Sequence, residues 1–240
     1  MARPPETRPP MDRRAFTALG ACAIAAGRRS GGAVWAGSPA VAFTRYRRVL
    51  LTTPEGQPLR AGRLDLEEEY LFFYPFAGTP CVLLDLGRPL TATEVPVRGG
   101  AGYAWGGGVG PSRSVVAFTA VCPHEWSHPE PAFSAIGYHR GGQPAAVTGG
   151  RSRLIVCCAH GSAFDPTAGG RVEQGPAEVP LAAVVLSWDP GQDRFFAHGL
   201  LGRDSFERFF SVFKGKSRAV VDDETPVMRL RDYSATVARC

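Results

Sequence analysis

The sequence lacks any run of about 18 uncharged apolar residues, so an ordinary membrane-spanning helix is not expected. It also has little charge: charged residues make up 20% of the 240, whereas hydrophobic residues make up 44%. That balance excludes an intrinsically disordered chain and is typical of a globular body. Long helices are disfavoured as well, because 29 glycines and 21 prolines favour short strands joined by many turns.

The net charge of +5 does not indicate a nucleic-acid-binding surface. Residues 1–30 contain six arginines and two acidic residues, so this segment carries +4 and leaves only +1 for the rest. A body with such balanced charge has no basic stripe, and we expect no nucleic acid partner. The basic excess indicates targeting instead.

The first residues predict an export signal. Arg13 and Arg14 precede an alanine-rich apolar stretch that ends at Arg28 and is too short to span a bilayer, a pattern typical of a Tat-type signal. We therefore predict that residues 1–37 are a Tat-type signal and linker of a periplasmic protein. Two alternatives remain open: a disordered basic tail, and lipidation at Cys22, which would allow membrane association without a transmembrane helix.

The rest of the chain indicates an all-β fold with one helix. Short β-rich runs alternate with turns, and Asp189-Pro-Gly191 separates two runs that would form a hairpin. Residues 99–110 are rich in glycine and are expected to be a flexible connector. The one persuasive helix covers residues 205–214, where phenylalanines recur with helical spacing and predict an apolar stripe that packs in the core.

Two short motifs contain cysteine and histidine together. The first box is Cys122-Pro-His124, and the second begins at Cys157 and includes His160. Each follows a β-rich run and enters a turn-rich loop, so the two loops could face each other across one metal site. Two thiolates and two imidazoles form a ligand set for Zn²⁺, or for a [2Fe–2S] cluster with both histidines on one iron.

The second box, C-x-x-H-G-S-x-F-D, together with the C-x-H of the first resembles the paired cluster motifs of the Rieske iron–sulfur family. Residues 169–181 resemble the proline-bearing loop of that family, and the whole resemblance covers residues 111–187. It implies an all-β fold: an antiparallel β-sandwich or barrel base with a small inserted cluster-binding β subdomain. Residues 38–198 would form this Rieske domain, with the subdomain at about 111–180. Residues 199–240 would be a C-terminal extension with the short amphipathic helix.

The resemblance also implies a role for five residues. Cys122 and Cys157 would bind one iron of the Rieske-type [2Fe–2S] cluster, and His124 and His160 would bind the other. Ser162 would donate a hydrogen bond to a bridging sulfide. With neutral imidazoles the oxidised cluster carries no net charge, and the reduced cluster carries one negative charge. No residue is predicted to be catalytic.

Three positions depart from the quinol-oxidising branch of the family. Ser127 and Ala159 stand where that branch has a disulfide between the boxes, and Phe164 stands where it has a tyrosine that hydrogen-bonds a ligand sulfur. Fewer such bonds predict a potential in the middle or lower part of the range of about −150 to +300 mV. The long segment 128–150 would be an elaborated loop for partner recognition, with both of its histidines solvated.

The remaining cysteines leave alternatives open. Cys158 repeats the C-x-H spacing with His160 and competes with Cys157 as a ligand, although C-x-x-H is the spacing of the family and favours Cys157. Cys81 lies in an apolar run and is expected to be buried. A disulfide from Cys158 to either Cys81 or Cys240 is also conceivable.

The resemblance implies a one-electron carrier rather than a catalyst, acting as the redox subunit of a periplasmic respiratory or other oxidoreductase complex. Its redox partner would be a cytochrome, a quinol-oxidising complex or a molybdoenzyme large subunit. The missing disulfide and the Tat-type signal lean away from a standard bc-complex subunit, and they are compatible with the small subunit of an arsenite-oxidase-type enzyme or with another kind of periplasmic Rieske protein. One alternative is a structural zinc module with the same four ligands. Another is a Rieske oxygenase, which needs a second iron site. After His160, however, the sequence has one histidine, His198.

Overall fold

The computed structural model describes residues 43–98, 100–203 and 205–240. The predicted export signal and Cys22 lie outside these residues. Within the described ranges, no helix combines the length and the apolar composition needed to cross a bilayer.

The regular structure of the described residues consists mainly of short strands, which confirms the all-β prediction. Two helices accompany them, although the sequence predicted only one. In chain order the elements are β1 (Thr44–Thr52), β2 (Tyr70–Phe73), β3 (Pro80–Asp85), β4 (Thr93–Val95), β5 (Tyr103–Trp105), β6 (Val115–Thr119), β7 (Ile136–His139), β8 (Leu154–Cys157), β9 (Ser162–Asp165), β10 (Arg171–Gln174), β11 (Ala183–Asp189), β12 (Arg194–Leu201), α1 (Phe206–Val212), β13 (Glu224–Pro226), β14 (Met228–Arg229) and α2 (Leu230–Tyr233).

Eight strands form a large sheet in the order β13-β1-β12-β11-β6-β3-β2-β14. Both faces of this sheet are covered, so its central strand β3 is apolar almost throughout rather than alternating. Cys81 and Leu83 point into one apolar cluster, whereas Val82 and Leu84 point into another on the opposite face. The expected hairpin at Asp189-Pro-Gly191 joins β11 to β12 in this sheet.

The helix α1 covers one edge of the first cluster. Its phenylalanines Phe206, Phe209 and Phe210 are buried there, so the predicted stripe packs in the core. Their i, i+3 and i+4 spacing places them on one side of the helix, as the sequence indicated. Phe213, at the end of the stripe, is partly buried against the same cluster.

Four strands form a second, smaller sheet in the order β10-β9-β8-β7. They lie between β6 and β11 in the sequence, yet those two strands pair with each other in the large sheet through Phe118 and Ala183. The small sheet is therefore an insertion into the base, as the resemblance implied. Since β6 belongs to the base, the small sheet starts at Ile136 rather than near residue 111. The boundary expected at residue 198 falls inside β12, and β13 and β14 return to the large sheet.

The glycine-rich segment 99–110 is not a simple connector. Its strand β5 pairs with β4 in an antiparallel hairpin. Tyr103 and Trp105 are buried in the apolar cluster between the base and the small sheet. The aromatic side chains therefore give this segment a place in the core, which its glycine content did not indicate.

A buried carboxylate connects the base, the small sheet and the final segment of the chain. Glu69 Oε1 accepts a hydrogen bond from the backbone N–H of Tyr138 in β7, and its Oε2 lies 3.1 Å from Arg239. Burial raises the pKa of Glu69 to about 7, although the charge of Arg239 acts in the opposite direction. The junction therefore holds a proton at a pH where an exposed glutamate would have lost it.

This shift predicts that stability falls as pH rises from about 4.5 through about 7, because only the unfolded state releases the proton readily in that window. Glu69→Gln stays neutral, so its free energy of unfolding should fall less than that of the wild type between about pH 5 and pH 8. Urea denaturation across this range measures the difference. Glu94→Gln, an exposed change on β4, is the control, and identical slopes for Glu69→Gln and wild type would contradict the prediction.

Candidate metal centre

The first cysteine–histidine box is a tight turn that follows β6. The N–H of Trp126 donates to the carbonyl of Cys122 at 2.8 Å, and the N–H of Cys122 donates to the carbonyl of Ser127 at 2.8 Å. These two bonds close the turn on itself. Cys122 is buried at its base, while His124 is only partly buried.

The second box is the hairpin between β8 and β9. Cys157 and Ser162 face each other as the last pair of the ladder, and the N–H of Gly161 donates to the carbonyl of Cys157 at 2.9 Å. Gly161 adopts a φ of 73°, which glycine tolerates better than other residues. His160 lies at the tip, and its side chain is 46% exposed.

The sulfurs of the two boxes lie together in the interior. Cys122 is 3% exposed and Cys157 is 1% exposed. The Cys122 thiol donates to the sulfur of Cys157 and lowers its pKa to about 6, with help from the N–H groups of Ala159 and His160 and from the Ser127 hydroxyl. The same bond raises the pKa of Cys122, which keeps the shared proton. The pair is thus arranged to hold negative charge on sulfur, the state that binds a metal.

The two histidines of the boxes lie next to each other. Their ring centroids are 4.9 Å apart, with the ring planes at 81°. Nδ1 of His124 is buried and has no hydrogen-bond partner within the described part of the chain. A buried polar atom of this kind calls for a partner, and a metal ion is one. Nε2 of His160 lies 3.5 Å from a carboxylate oxygen of Glu125.

The proline-bearing loop contacts the second box through its backbone. Gly175 has a φ of 90°, and a Cβ atom there would lie 2.4 Å from Cα of Ser162 and 2.6 Å from the carbonyl oxygen of Gly161. Two residues later, the N–H of Ala177 donates to Oγ of Ser162 at 3.2 Å. The loop can approach this closely only because residue 175 lacks a side chain.

We predict that Gly175→Ala loses most of the bound cluster, because the new methyl group forces the loop away from the hairpin at residues 161–162. Iron and sulfide per chain and the visible absorption spectrum measure the loss. Gly56→Ala is a matched control: its φ is 77°, so it experiences similar backbone strain, but no atom lies within 4 Å of the added Cβ among the described residues. Equal cluster content in the two variants would contradict the prediction.

The structure separates Cys158 from this centre. Cys158 forms a disulfide with Cys240, with 5.7 Å between their Cα atoms. Cys157, and not Cys158, therefore lies beside Cys122. Cys81 is buried in the base as expected, where its thiol donates to the carbonyl of Tyr74 at 3.2 Å.

Two histidines of segment 128–150 are buried, so the expectation that they are solvated is wrong. His128 hydrogen-bonds Glu130 and packs edge-on against Phe209 and Phe213 of the α1 region. His139 is the last residue of β7 and is 1% exposed. The segment contains this strand and a 3₁₀ turn, so it is not one long loop. The short run Ile136-Gly-Tyr-His139, with a large apolar or aromatic residue at every second position, was the available sign of a strand here. Four residues are too few to be decisive.

Comparison with known proteins agrees with this geometry. Residues 109–185 match the family model of the Rieske [2Fe–2S] domain. These residues form a Rieske domain. The matched range includes both boxes and the proline-bearing loop, close to the limits of the resemblance in the sequence. A Rieske domain implies a Rieske-type [2Fe–2S] cluster, so the predicted cofactor is confirmed.

Among solved structures, the chain is similar to the soluble domain of the Rieske protein II (soxF) from Sulfolobus acidocaldarius. The two are 26% identical over 65% of this chain and 78% of that chain, with a TM-score of 0.47.

Proposed function

We propose that this protein is a one-electron carrier whose Rieske cluster is bound by Cys122 and Cys157 on one iron and by His124 and His160 on the other. The observation that carries the proposal is that two neighbouring loops hold two buried cysteine sulfurs and an imidazole whose buried Nδ1 has no partner among the described residues. These groups fit the mixed thiolate and imidazole ligation of the cluster. When bound, the cluster supplies a single-electron couple.

The protein supplies hydrogen bonds to the sulfurs. The N–H groups of His124 and Glu125 face the sulfur of Cys122, and those of Ala159 and His160 face the sulfur of Cys157. Such donors favour extra negative charge on the cluster and thereby favour its reduced state. Ser162 accepts from Ala177, so its own hydroxyl hydrogen is available to a bridging sulfide.

The exposed edge of the centre is formed by imidazole. His160 is nearly half exposed, whereas both sulfurs are buried, so a redox partner would contact the histidine side. We propose that this partner belongs to a periplasmic oxidoreductase. The first candidate is the large subunit of an arsenite-oxidase-type molybdoenzyme, and the second is a cytochrome or a quinol-oxidising complex. The twin arginines Arg13 and Arg14 support export by a Tat-type route, which carries proteins that fold around a cofactor before export.

Absorption and EPR spectra before and after dithionite reduction test the ligand assignment. Wild type and Cys158→Ser should show a visible chromophore and, when reduced, a signal whose average g value lies below that of the free electron. Cys157→Ser and His160→Ala should lose both features, because each removes an iron ligand. His198→Ala is the histidine control and should keep them. A colourless, EPR-silent wild type with stoichiometric zinc would overturn the proposal and favour a structural zinc module.

The Ser127 hydroxyl bond to Cys157 predicts a measurable effect on potential. Wild type should fall in the middle or lower part of the range of about −150 to +300 mV. Ser127→Ala should lower the midpoint by about 40 mV, because one hydrogen bond of about 1 kcal/mol to the reduced state is lost. Ser187→Ala, in β11, is the control. Redox titration gives both values, and an unchanged midpoint in Ser127→Ala would show that the hydroxyl has no such role.

A further inference from the structure

The Cys158–Cys240 disulfide joins the second box to the final segment of the chain. Residues 234–240 run beside the start of β7, where Ser134 and Ala238 are linked by a backbone hydrogen bond of 2.8 Å. The segment then reaches the turn before β8, where the N–H of Val147 donates to the carbonyl of Cys240 at 3.1 Å. Cys240 is therefore held in place by backbone contacts as well as by the S–S bond.

A third potential ligand faces this disulfide. A ring nitrogen of His139 and the sulfurs of Cys158 and Cys240 all lie within 4.8 Å of one another. His139 is 1% exposed, and its Nε2 is buried without a hydrogen-bond partner in the described parts of the chain. The ring does hydrogen-bond the backbone of Gln143, which leaves Nδ1 as the nitrogen in that bond. Nε2 is thus the ring nitrogen that has no partner among the described residues.

The surroundings favour the neutral form of this imidazole. Burial is the main cause of a lowered pKa for His139, and the charge of Arg239 adds to it. With the proton on Nδ1 and directed to the Gln143 backbone, Nε2 presents a lone pair. A backbone acceptor on the second ring nitrogen is the usual arrangement of a histidine that ligates a metal.

We propose that His139, Cys158 and Cys240 form a second metal site, separate from the cluster, which takes Zn²⁺ when the disulfide is reduced. A dithiol reductant supplies two electrons and two protons: the S–S bond breaks, two thiols form, and the reductant becomes a disulfide. Zn²⁺ then displaces one proton from each thiol and binds both sulfurs and Nε2. Tetrahedral bonds of about 2.3 Å place the sulfurs about 3.8 Å apart, with water in the fourth position.

The surroundings of the two cysteines favour zinc. Small apolar residues surround the two cysteines: Ala145, Val147, Leu154, Val156 and Ala163. Free thiolates would be disfavoured there, whereas one Zn²⁺ with two thiolates and a neutral imidazole carries no net charge. Soft sulfur ligands with one imidazole also exclude Mg²⁺ and Ca²⁺, which prefer oxygen. The disulfide occupies both sulfurs, so oxidation closes the site.

Zinc uptake by the full-length, cluster-loaded protein tests the proposal. The protein is reduced with dithiothreitol without oxygen, freed of it by gel filtration, and titrated with ZnCl₂ against a chromophoric zinc chelator. Iron and sulfide are measured in the same samples. We expect one zinc per chain after reduction, none before it, and no loss of iron. The proposal would be overturned if the reduced wild type took up no zinc. It would also be overturned if zinc uptake matched the loss of iron, since zinc would then occupy the cluster ligands.

Single variants separate this site from adventitious binding. Cys240→Ser should abolish uptake, and His139→Ala or His139→Gln should weaken zinc affinity at least about 10-fold, as expected when a direct ligand is lost. Cys81→Ala and His198→Ala, which change a buried cysteine and a partly buried histidine elsewhere, should bind zinc like the wild type. Cluster absorption reports that each variant has folded. Unchanged zinc affinity in both folded His139 variants would overturn the proposal.

Discussion

The sulfurs of Cys122 and Cys157 must carry negative charge where water has almost no access. The rest of the cluster-binding region is arranged to stabilise that charge. An unpaired buried charge is strongly disfavoured, so each sulfur needs hydrogen-bond donors or a metal. Both boxes are tight turns in which the N–H groups after the cysteine face its own sulfur. Strand β6 of the large sheet leads into the first turn, and β8 and β9 of the small sheet flank the second.

The second box is restrained by a disulfide, although not by one to the first box. The resemblance to quinol-oxidising relatives raised a disulfide between the two boxes, but Ser127 and Ala159 exclude it here. The hydroxyl of Ser127 instead donates to the sulfur of Cys157. The disulfide of this chain starts at Cys158 and connects the second box to Cys240 on the opposite side. One hairpin is thus restrained from two directions: by hydrogen bonds towards the first box and by a covalent bond away from it.

The sequence predicted the features that local patterns encode. Phenylalanine spacing identified α1 and its buried side, and the motifs identified the Rieske domain. It did not reveal the burial of His128 and His139, because His128 packs against Phe209 near the C-terminal end of the sequence and His139 lies beside Cys240, both far away along the chain. It also left the partner of Cys158 open, since pairing between residues 82 positions apart depends on the tertiary path. The predicted export signal lies outside the described residues, so the predicted periplasmic location stays a prediction.

The choice between the adjacent cysteines has a simple physical basis in the strand that precedes them. Successive side chains of a strand point to opposite faces. Ile155 and Cys157 lie in the apolar cluster that includes Cys122, whereas Leu154 and Val156 lie in the small cluster against which Cys158 packs. Because a shift of one residue would exchange these faces, the register of β8 decides which sulfur meets Cys122 and which meets Cys240. Two neighbouring cysteines can therefore take part in different chemistry without competing for the same site.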